Sequence, residues 1–292
     1  MKSWIDRHLK ILFLLPLLIF IAFMIIYPLV YTFRMSFYSS SMSAVKPPKF
    51  IGLKNYVTMF NNPKFLNACK LTMYFSLGCL FFQTFGGLAL AIFMNRQFKL
   101  MGAAKTISLL PVVATPVAIA MVWKMMYDPA LGIINLVIKK LGYAPVVFLG
   151  DPNISLLSLM AIEIWENTPQ VMLICMGGLA NIPTDCLEAA RIDGASNWQT
   201  LTKVTLPLLS TTLLAAITLR LIDVMKAYDI IYSTTQGGPG ISTQTINVLA
   251  YRQAFENFRF GDASATVTVF ILILVVVTFL FNIIRKRAVV DY

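Results

Sequence analysis

Two groups of polar residues stand inside long apolar stretches. The first group shares the spacing i, i+3, i+4, i+7 and consists of Glu163, Glu166, Asn167 and Gln170. The second group recurs every third residue, with a small residue completing the turn, and consists of Arg220, Asp223, Lys226 and Ala227. On a helix each spacing places its residues on one face. Because an ionised side chain in a bilayer costs several kcal/mol, such faces normally meet a partner or a watery cavity.

These residue types are compatible with four kinds of chemistry. The first is an internal network of ion pairs, with Glu163 or Glu166 bound to Arg220 and Asp223 bound to Lys226. The second is a polar cavity that hydrogen-bonds a hydroxyl-rich solute. The third is an ion-coupled carrier that uses the carboxylates as proton or sodium ligands. The fourth is acid–base catalysis by paired carboxylates.

The sequence contains few of the residues that catalysis and metal binding require. His8 is the only histidine, and no nucleophile with a matching base accompanies the carboxylates. We therefore expect a protein that is not an enzyme, with no metal site. Cys69, Cys79, Cys175 and Cys186 lie far apart, which predicts buried thiols rather than a disulfide framework.

The composition predicts that membrane helices position these groups. Of the 292 residues, 58% are hydrophobic and 13% charged. Six apolar stretches approach the ~20 residues that cross a bilayer, at about 11–33, 71–94, 106–127, 154–178, 204–231 and 263–284. Such spans must be helical, because lipid cannot satisfy backbone N–H and C=O groups. The prediction is an all-α polytopic membrane protein, with residues 1–292 forming one transmembrane domain of six helices.

Basic residues at both ends of the chain indicate its orientation. Lys2, Arg7 and Lys10 precede the first stretch, and Arg285, Lys286 and Arg287 follow the last. An even number of spans with basic ends predicts that both termini are cytoplasmic. The net charge of +11 indicates contact with anionic lipid headgroups rather than with nucleic acid, for which no motif is present.

Prolines predict irregularities in two of the spans. The third span opens with Pro111 and Pro116, which should kink it and free backbone carbonyls. In the fourth span Thr168 and Pro169 are expected to interrupt the helix within its polar face.

Residues 184–205 predict a cytoplasmic helix-turn-helix. Asp185 followed by Glu188 is a capping-box pattern, and Gly194 is a natural C-terminal stop. Ser196 with Gln199 repeats the pattern, so a second short helix is expected before Pro207 opens the fifth span. Two interpretations remain open: a knob that enters a groove on another protein, or an amphipathic pair in the headgroup layer.

The same segment resembles the EAA signature of the permease subunits of binding-protein-dependent ABC importers. The matching residues are Glu188, Ala189, Ala190, Asp193, Gly194, Ala195, Val204, Leu206 and Pro207, with valine at 204 where isoleucine is usual. The resemblance implies that Glu188–Gly194 docks into a cleft of a cytoplasmic ATPase. Because this chain has no G-x-x-x-x-G-K-[ST], ATP and Mg²⁺ would bind in that partner, and no cofactor is expected here.

Further segments resemble the carbohydrate-uptake permeases of that group. They are FIGLKNY (50–56), GIIN (132–135), YDIIYSTTQGGPGISTQT (228–245) and FGDASA (260–265). The loop of Gly237, Gly238 and Pro239 is similar to that of the MalF-like partner and implies an outer gate loop. Its plain alternative is a flexible outer turn. In the maltose permease, sugar contacts come from the spans flanking the EAA loop.

That resemblance implies a substrate pathway at or beside those contact positions. The residues are Glu163, Glu166, Asn167, Gln170, Arg220, Asp223, Val224 and Ala227, where Asp223 comes from the polar spacing alone. The implied partners are a second, MalG-like permease, two cytoplasmic ATPases, an extracytoplasmic solute-binding protein and a carbohydrate. The expected location is a bacterial or archaeal cytoplasmic membrane. A non-carbohydrate solute and an ion-coupled carrier remain the alternatives.

Overall fold

The fold is known from a computed structural model that describes residues 4–39, 47–96 and 99–288. Its α-helices in chain order are α1 Trp4–Met35, α2 Lys54–Phe60, α3 Pro63–Met94, α4 Met101–Val113, α5 Pro116–Met126, α6 Ile133–Lys140, α7 Ser155–Ala180, α8 Thr184–Ile192, α9 Asn197–Thr200, α10 Leu206–Met225, α11 Asp229–Thr235, α12 Ile246–Tyr251 and α13 Phe260–Ala288. Two π-helical turns, Leu201–Thr205 and Arg252–Glu256, continue α9 and α12. Strands β1 Tyr38–Ser39 and β2 Lys49–Phe50 pair antiparallel. The all-α prediction is confirmed.

Apolar helices occupy all six predicted stretches. Four are long and apolar enough to cross a bilayer as they stand: Phe13–Met35, Pro63–Met94, Asn197–Thr235 and Phe260–Ile283. Two further candidates are bent pairs, α4 with α5 at 98° and α7 with α8 at 73°. The described chain therefore has four spans, or up to six if each bent pair is one span. In the candidate span of α1, Phe13–Met35, no residue is buried by the rest of the described chain, so its surface is available to lipid or to partner proteins.

Prolines act differently in the third and fourth spans. The predicted kink of the third span is a full break at Ala114 and Thr115, both in extended backbone, because the residue before a proline avoids the helical region. The predicted interruption of the fourth span is wrong, since α7 continues through Pro169. There the Thr168 hydroxyl donates to the Ile164 carbonyl at 2.5 Å, and Val171 is fully buried. Packing on both sides holds this helix together.

The fifth span also differs from its predicted limits of 204–231. Helical hydrogen bonding reaches back to Asn197, because the π turn joins α9 to α10. At the other end α10 stops at Met225 with Lys226 as its cap, and α11 begins only at Asp229. Ala227 therefore lies between two helices rather than on the last turn of one.

The chain divides into two compact units, of which the first comprises Met1–Phe65 and Leu249–Ile271. Its α2 is fastened to the end of α1, because the Asn55 side-chain amide donates to the carbonyls of Ser36 at 2.7 Å and Tyr38 at 3.0 Å. The hydroxyls of Ser36 and Tyr56 lie 2.6 Å apart. Within α13, Thr266 is fully buried and donates to Gln253 at 2.8 Å.

The second unit comprises Leu66–Val248 and Leu272–Tyr292 and has two apolar clusters. One cluster includes Phe75, Leu159, Ile162 and Ile231. The other joins α3, α7 and α10. In the second cluster α10 approaches α7 at Gly178, where an added Cβ would lie 2.6 Å from Leu209 Cδ1. All four cysteines are free. Cys79 and Cys175 are buried in these clusters, as predicted, whereas Cys69 is half-buried and Cys186 is exposed, so the prediction of buried thiols is wrong for these two.

A hairpin links α5 to α6 in this unit. The fully buried Asn135 side chain donates to the carbonyls of Asp128 at 3.1 Å and Val146 at 3.0 Å and accepts from the Val146 N–H at 2.7 Å. The backbone N–H groups of Leu131 and Ala130 bind the Asp128 carboxylate and hold its pKa below the ordinary value for aspartate. These hydrogen bonds connect the turn between α5 and α6 to the segment that follows α6.

Candidate functional site

A polar cavity of about 260 Å³ lies where α5, α7, α10 and the start of α11 meet. Its lining consists of Pro116, Glu163, Glu166, Asn167, Gln170, Arg220, Asp223, Ala227, Tyr228, Asp229 and Ile230. The structure thus brings together every predicted pathway residue except Val224. The two polar faces meet because α7 and α10 pack side by side.

Arg220 is the centre of a buried hydrogen-bond network. Its side chain is 3% exposed, and its Nη2 lies 2.9 Å from Glu163 Oε1 in an ion pair. Nη1 donates to Gln170 Oε1 at 3.0 Å and, more weakly, to Asn167 Oδ1 at 3.4 Å. Nε donates to Gln83 Oε1 at 3.1 Å. One guanidinium therefore connects α3, α7 and α10.

Asp223 and Lys226 form a more open pair at the cavity edge. Lys226 Nζ lies 3.3 Å from Asp223 Oδ1, with the two side chains 53% and 44% exposed. The other carboxylate oxygen of Asp223 lies 3.8 Å from Arg220 Nη1. The ion pairs expected from the sequence are therefore present, and Glu163 rather than Glu166 is the buried partner of Arg220.

Glu166 is the carboxylate of the cavity that lacks a full set of partners. The residue is 4% exposed, and its Oε2 is buried without a hydrogen-bond partner in the described structure. Buried polar atoms are nearly always satisfied, so such an atom on a cavity wall points to a ligand or water.

Val224 does not lie in the cavity. It is 1% exposed and belongs to the apolar cluster that also contains Ile162 and Ile231. One residue beyond Asp223, it is turned about 100° around α10, away from the polar face. The structure therefore gives Val224 a packing position rather than a lining one.

The segment 184–205 projects a small exposed surface from the ends of α7 and α10. Glu188 and Ala189 are exposed, whereas Ala190 is buried. Two residues flanking the turn expose most of their apolar side chains, Ile192 at 86% and Trp198 at 71%. Glu188 and its neighbours are therefore available to a partner surface.

The end of α8 is fixed as the sequence predicts. Gly194 has φ +75°, Asp193 caps the helix, and the Ala195 N–H donates to the Ala190 carbonyl at 2.9 Å. With the Gly194 N–H bound to the Arg191 carbonyl at 3.1 Å, this is a Schellman motif. A left-handed residue is needed here, and glycine adopts it without strain.

The start of α8 differs from the prediction. The helix begins at Thr184 after an extended Pro183, and Asp185 lies in the first turn instead of capping it. The second capping box is confirmed, since the Gln199 N–H donates to Ser196 Oγ at 3.3 Å and the Ser196 N–H to Gln199 Oε1 at 2.8 Å.

The second helix of this segment is not separate from the fifth span. The π turn carries the Leu206 N–H to the Leu201 carbonyl, five residues back. Pro207 lacks an N–H, so the ordinary ladder could not have continued unchanged at that point. A rigid connection between the exposed surface and α10 results.

The loop of Gly237, Gly238 and Pro239 is extensively hydrogen-bonded. Thr243, which is fully buried, donates to the Gly238 carbonyl at 2.7 Å, and its hydroxyl lies 2.8 Å from that of Thr235. Gly237 has φ +90°, and an added Cβ would lie 3.0 Å from Val248 Cγ1. The loop is also tied to the start of α7, where the Ser242 and Ser155 hydroxyls are 3.1 Å apart. It is a packed turn.

Comparison with known proteins identifies the family. The sequence profile of the family described as "Binding-protein-dependent transport system inner membrane component" matches residues 83–289. The chain belongs to this family. Its permease sequence is 35% identical over 257 residues to the trehalose/maltose transport system permease protein MalF of Thermococcus litoralis, covering 88% of this chain and 85% of the relative.

Two further matches agree with this permease assignment. The sulfoquinovosyl glycerol transport system permease protein SmoG of Agrobacterium fabrum is 31% identical over 284 residues, covering 97% of this chain and 92% of the relative. A crystal structure of a bacterial alginate ABC transporter in complex with an alginate pentasaccharide-bound periplasmic protein matches with a TM-score of 0.85 at 22% identity, covering 98% of each chain. The structural match shows that the fold is that of an ABC permease.

Sequence reasoning missed several lining and network residues of this permease. Gln83 is fully buried and donates to the Glu163 carbonyl at 2.9 Å while accepting from Arg220. A single amide within the apolar second span was its only signal. Tyr228 and Asp229 belong to the segment that resembles the carbohydrate-uptake permeases, and the break after α10 brings them to the cavity.

Proposed function

We propose that this permease is one of two membrane subunits of an ATP-driven importer for a carbohydrate. The observation that carries the proposal is that the polar cavity lies on α7 and α10, the two helices that the exposed α8–α9 segment connects. Relatives named for trehalose, maltose and sulfoquinovosyl glycerol transport support the carbohydrate assignment.

The proposed assembly has this chain as half of the translocation pathway. A second, MalG-like permease supplies the facing wall, two cytoplasmic ATPases hold ATP and Mg²⁺, and an extracytoplasmic solute-binding protein delivers the sugar. The alginate transporter, crystallised with a periplasmic protein, supports the last of these partners. We propose six spans in a bacterial or archaeal cytoplasmic membrane, with α4 and α5 together forming one span, α7 forming another and α8 outside the bilayer. Both termini are in the cytoplasm.

The proposed coupling element is the segment of Glu188, Ala189, Ala190, Asp193 and Gly194, of which all but the buried Ala190 are exposed. Small side chains beside a charged tip allow close docking in an ATPase cleft, and the Schellman motif fixes the shape of the tip. Because the π turn makes α9 continuous with α10, a displacement of this surface is transmitted to the helix that bears Arg220.

The proposed substrate pathway is the cavity face of Glu163, Glu166, Asn167, Gln170, Arg220, Asp223 and Ala227. Side-chain amides can both donate to and accept from sugar hydroxyls, whereas ionised carboxylates accept from them. The packed Gly237–Pro239 turn is proposed as part of the outer gate, because Ser242, three residues after Pro239, contacts Ser155 at the start of α7, the helix that forms one wall of the cavity.

Reconstitution tests the transport function. The assembled complex, purified through a tag on this chain, is placed in liposomes with its solute-binding protein, and uptake of maltose and trehalose is measured. We expect uptake that requires ATP and is absent when this chain is reconstituted alone. Ion-gradient-driven uptake by the chain alone would establish the carrier alternative. ATP-driven uptake of a non-carbohydrate solute but of neither sugar would contradict the carbohydrate assignment.

A charge reversal tests the coupling surface. In Glu188→Lys a cation replaces the exposed carboxylate at the docking tip. The purified complex should therefore lose its ATPase subunits, while the chain still inserts into the membrane and its Tm is unchanged. Glu256→Lys is the matched control, since it reverses another partly exposed carboxylate, which is 36% exposed and lies in the first unit. Full ATP-driven uptake by Glu188→Lys would show that the docking role is wrong.

A further inference from the structure

The charges of the cavity lining are unbalanced. The described lining contains four carboxylates, Glu163, Glu166, Asp223 and Asp229, and a single cationic side chain, Arg220. Lys226 lies outside the lining and contacts only the edge of the cavity through Asp223. The wall that this permease presents to a solute is therefore acidic.

The single cation of the lining is not available to a solute. A guanidinium has five N–H donors, and Arg220 makes four hydrogen bonds to Gln83, Asn167, Gln170 and Glu163. The ion pair with Glu163 is buried, with side-chain exposures of 3% and 7%. An anionic group entering the cavity would have to compete with a carboxylate that is already in place.

The carboxylates Glu166 and Asp223, by contrast, can accept further hydrogen bonds. Glu166 Oε2 is buried without a hydrogen-bond partner, and Asp223 is 44% exposed on the cavity edge. Sugar hydroxyls donate to such oxygens, whereas a carboxylate, phosphate or sulfonate group meets like charge. Repulsion is strong in a cavity because the surrounding protein screens charge less than bulk water does.

We infer that this wall disfavours anionic saccharides and favours uncharged polyhydroxyl compounds, whose hydroxyls donate to Glu166 and Asp223. This inference rests on the proposed function and narrows its substrate class. It gives Glu166 a role in specificity as well as in binding.

A matched pair of probes tests the inference. One probe is maltose, and the other is maltose with one 6-hydroxymethyl group oxidised to a carboxylate, which keeps the shape and adds one negative charge. Equilibrium binding is measured on the purified assembled complex without its solute-binding protein, so that the selectivity of that protein does not enter. We expect the oxidised probe to bind roughly tenfold more weakly.

Variants connect the discrimination to this wall. Glu166→Gln, which keeps the size of the side chain, should bring the two affinities closer by several-fold. Glu256→Gln, which removes a carboxylate outside the cavity, should leave their ratio unchanged. If Glu166→Gln does not assemble, as judged by size-exclusion chromatography, Asp223→Asn takes its place with the same expectation.

The two possible failures can be distinguished. Equal binding of both probes, or an unchanged ratio in the cavity variant, would overturn the charge selection and leave sugar import intact. Absence of binding and of ATP-driven uptake for both probes, while a non-carbohydrate solute is imported, would overturn the proposed function and this inference with it.

Discussion

Replacing Arg220 by methionine should be among the most destabilising single changes in the second unit. The substitution removes the cation but leaves the Glu163 carboxylate at 7% side-chain exposure, with Asn167 Nδ2 at 3.1 Å as its remaining side-chain donor. Breaking a buried ion pair from one side costs about 3–5 kcal/mol, because the remaining charge stays buried. Gln83 also loses the donor to its side-chain oxygen.

Thermal unfolding of the purified complex in detergent measures this cost. Each kcal/mol lowers Tm by roughly 2–4 °C in a protein of this size, so the expected drop is on the order of 10 °C. Arg252→Met is the matched control, because Arg252 pairs with Glu256 while both side chains are 36% exposed. An exposed pair contributes about 0–1 kcal/mol, so this control should barely move Tm.

A double-mutant cycle separates pairing from general disruption. Glu163→Leu alone leaves the buried Arg220 guanidinium without its ion-pair partner. Glu163→Leu combined with Arg220→Met removes both charges. We expect the double variant to lose clearly less stability than the two single losses added. The reasoning is refuted if the losses simply add, or if Arg220→Met is no more harmful than Arg252→Met.

Two further substitutions test the polar fastenings of the second unit by the same unfolding measurement. Gly237→Ala should lower Tm more than Gly142→Ala. Both glycines have positive φ, +90° and +86°, but only at Gly237 would an added Cβ lie 3.0 Å from Val248 Cγ1. Equal Tm shifts would contradict this. Asn135→Leu should cost about 2 kcal/mol or more of stability, because the fully buried Asn135 amide supplies the acceptor of the Val146 N–H at 2.7 Å and donates to the carbonyls of Asp128 and Val146. A Tm within about 2 °C of the parent, the shift of a change below 1 kcal/mol, would contradict it.

The sequence predicted the polar faces well because their information is local. Glu163 and Glu166 lie three residues apart, and so do Arg220 and Asp223, so the helical period alone places each pair on one face. That these faces meet follows from the energetic cost of charge in lipid. Gln83 was missed because its partner Arg220 is 137 residues away, and no local pattern carries that contact.

The prolines show where local reasoning ends. Pro116 and Pro169 both lie in predicted spans, yet a break precedes the first, whereas α7 continues through the second. The difference lies in the surroundings, since Val171 is fully buried beside Pro169, whereas Ala114 and Thr115 are exposed at the break. Burial on both sides stabilises a helix with a missing hydrogen bond, and the sequence does not display that packing.

The distribution of strong contacts constrains how the cavity can change shape. α7 and α10 are joined by the buried pair of Glu163 and Arg220, and again by the close approach at Gly178. Separating them would break this buried ion pair and its hydrogen bonds, so a force applied through α8 and α9 should move them as one body. Opening of the cavity should then occur at irregular backbone, and the lining offers it at the break before Pro116 and at Ala227 and Tyr228 after α10.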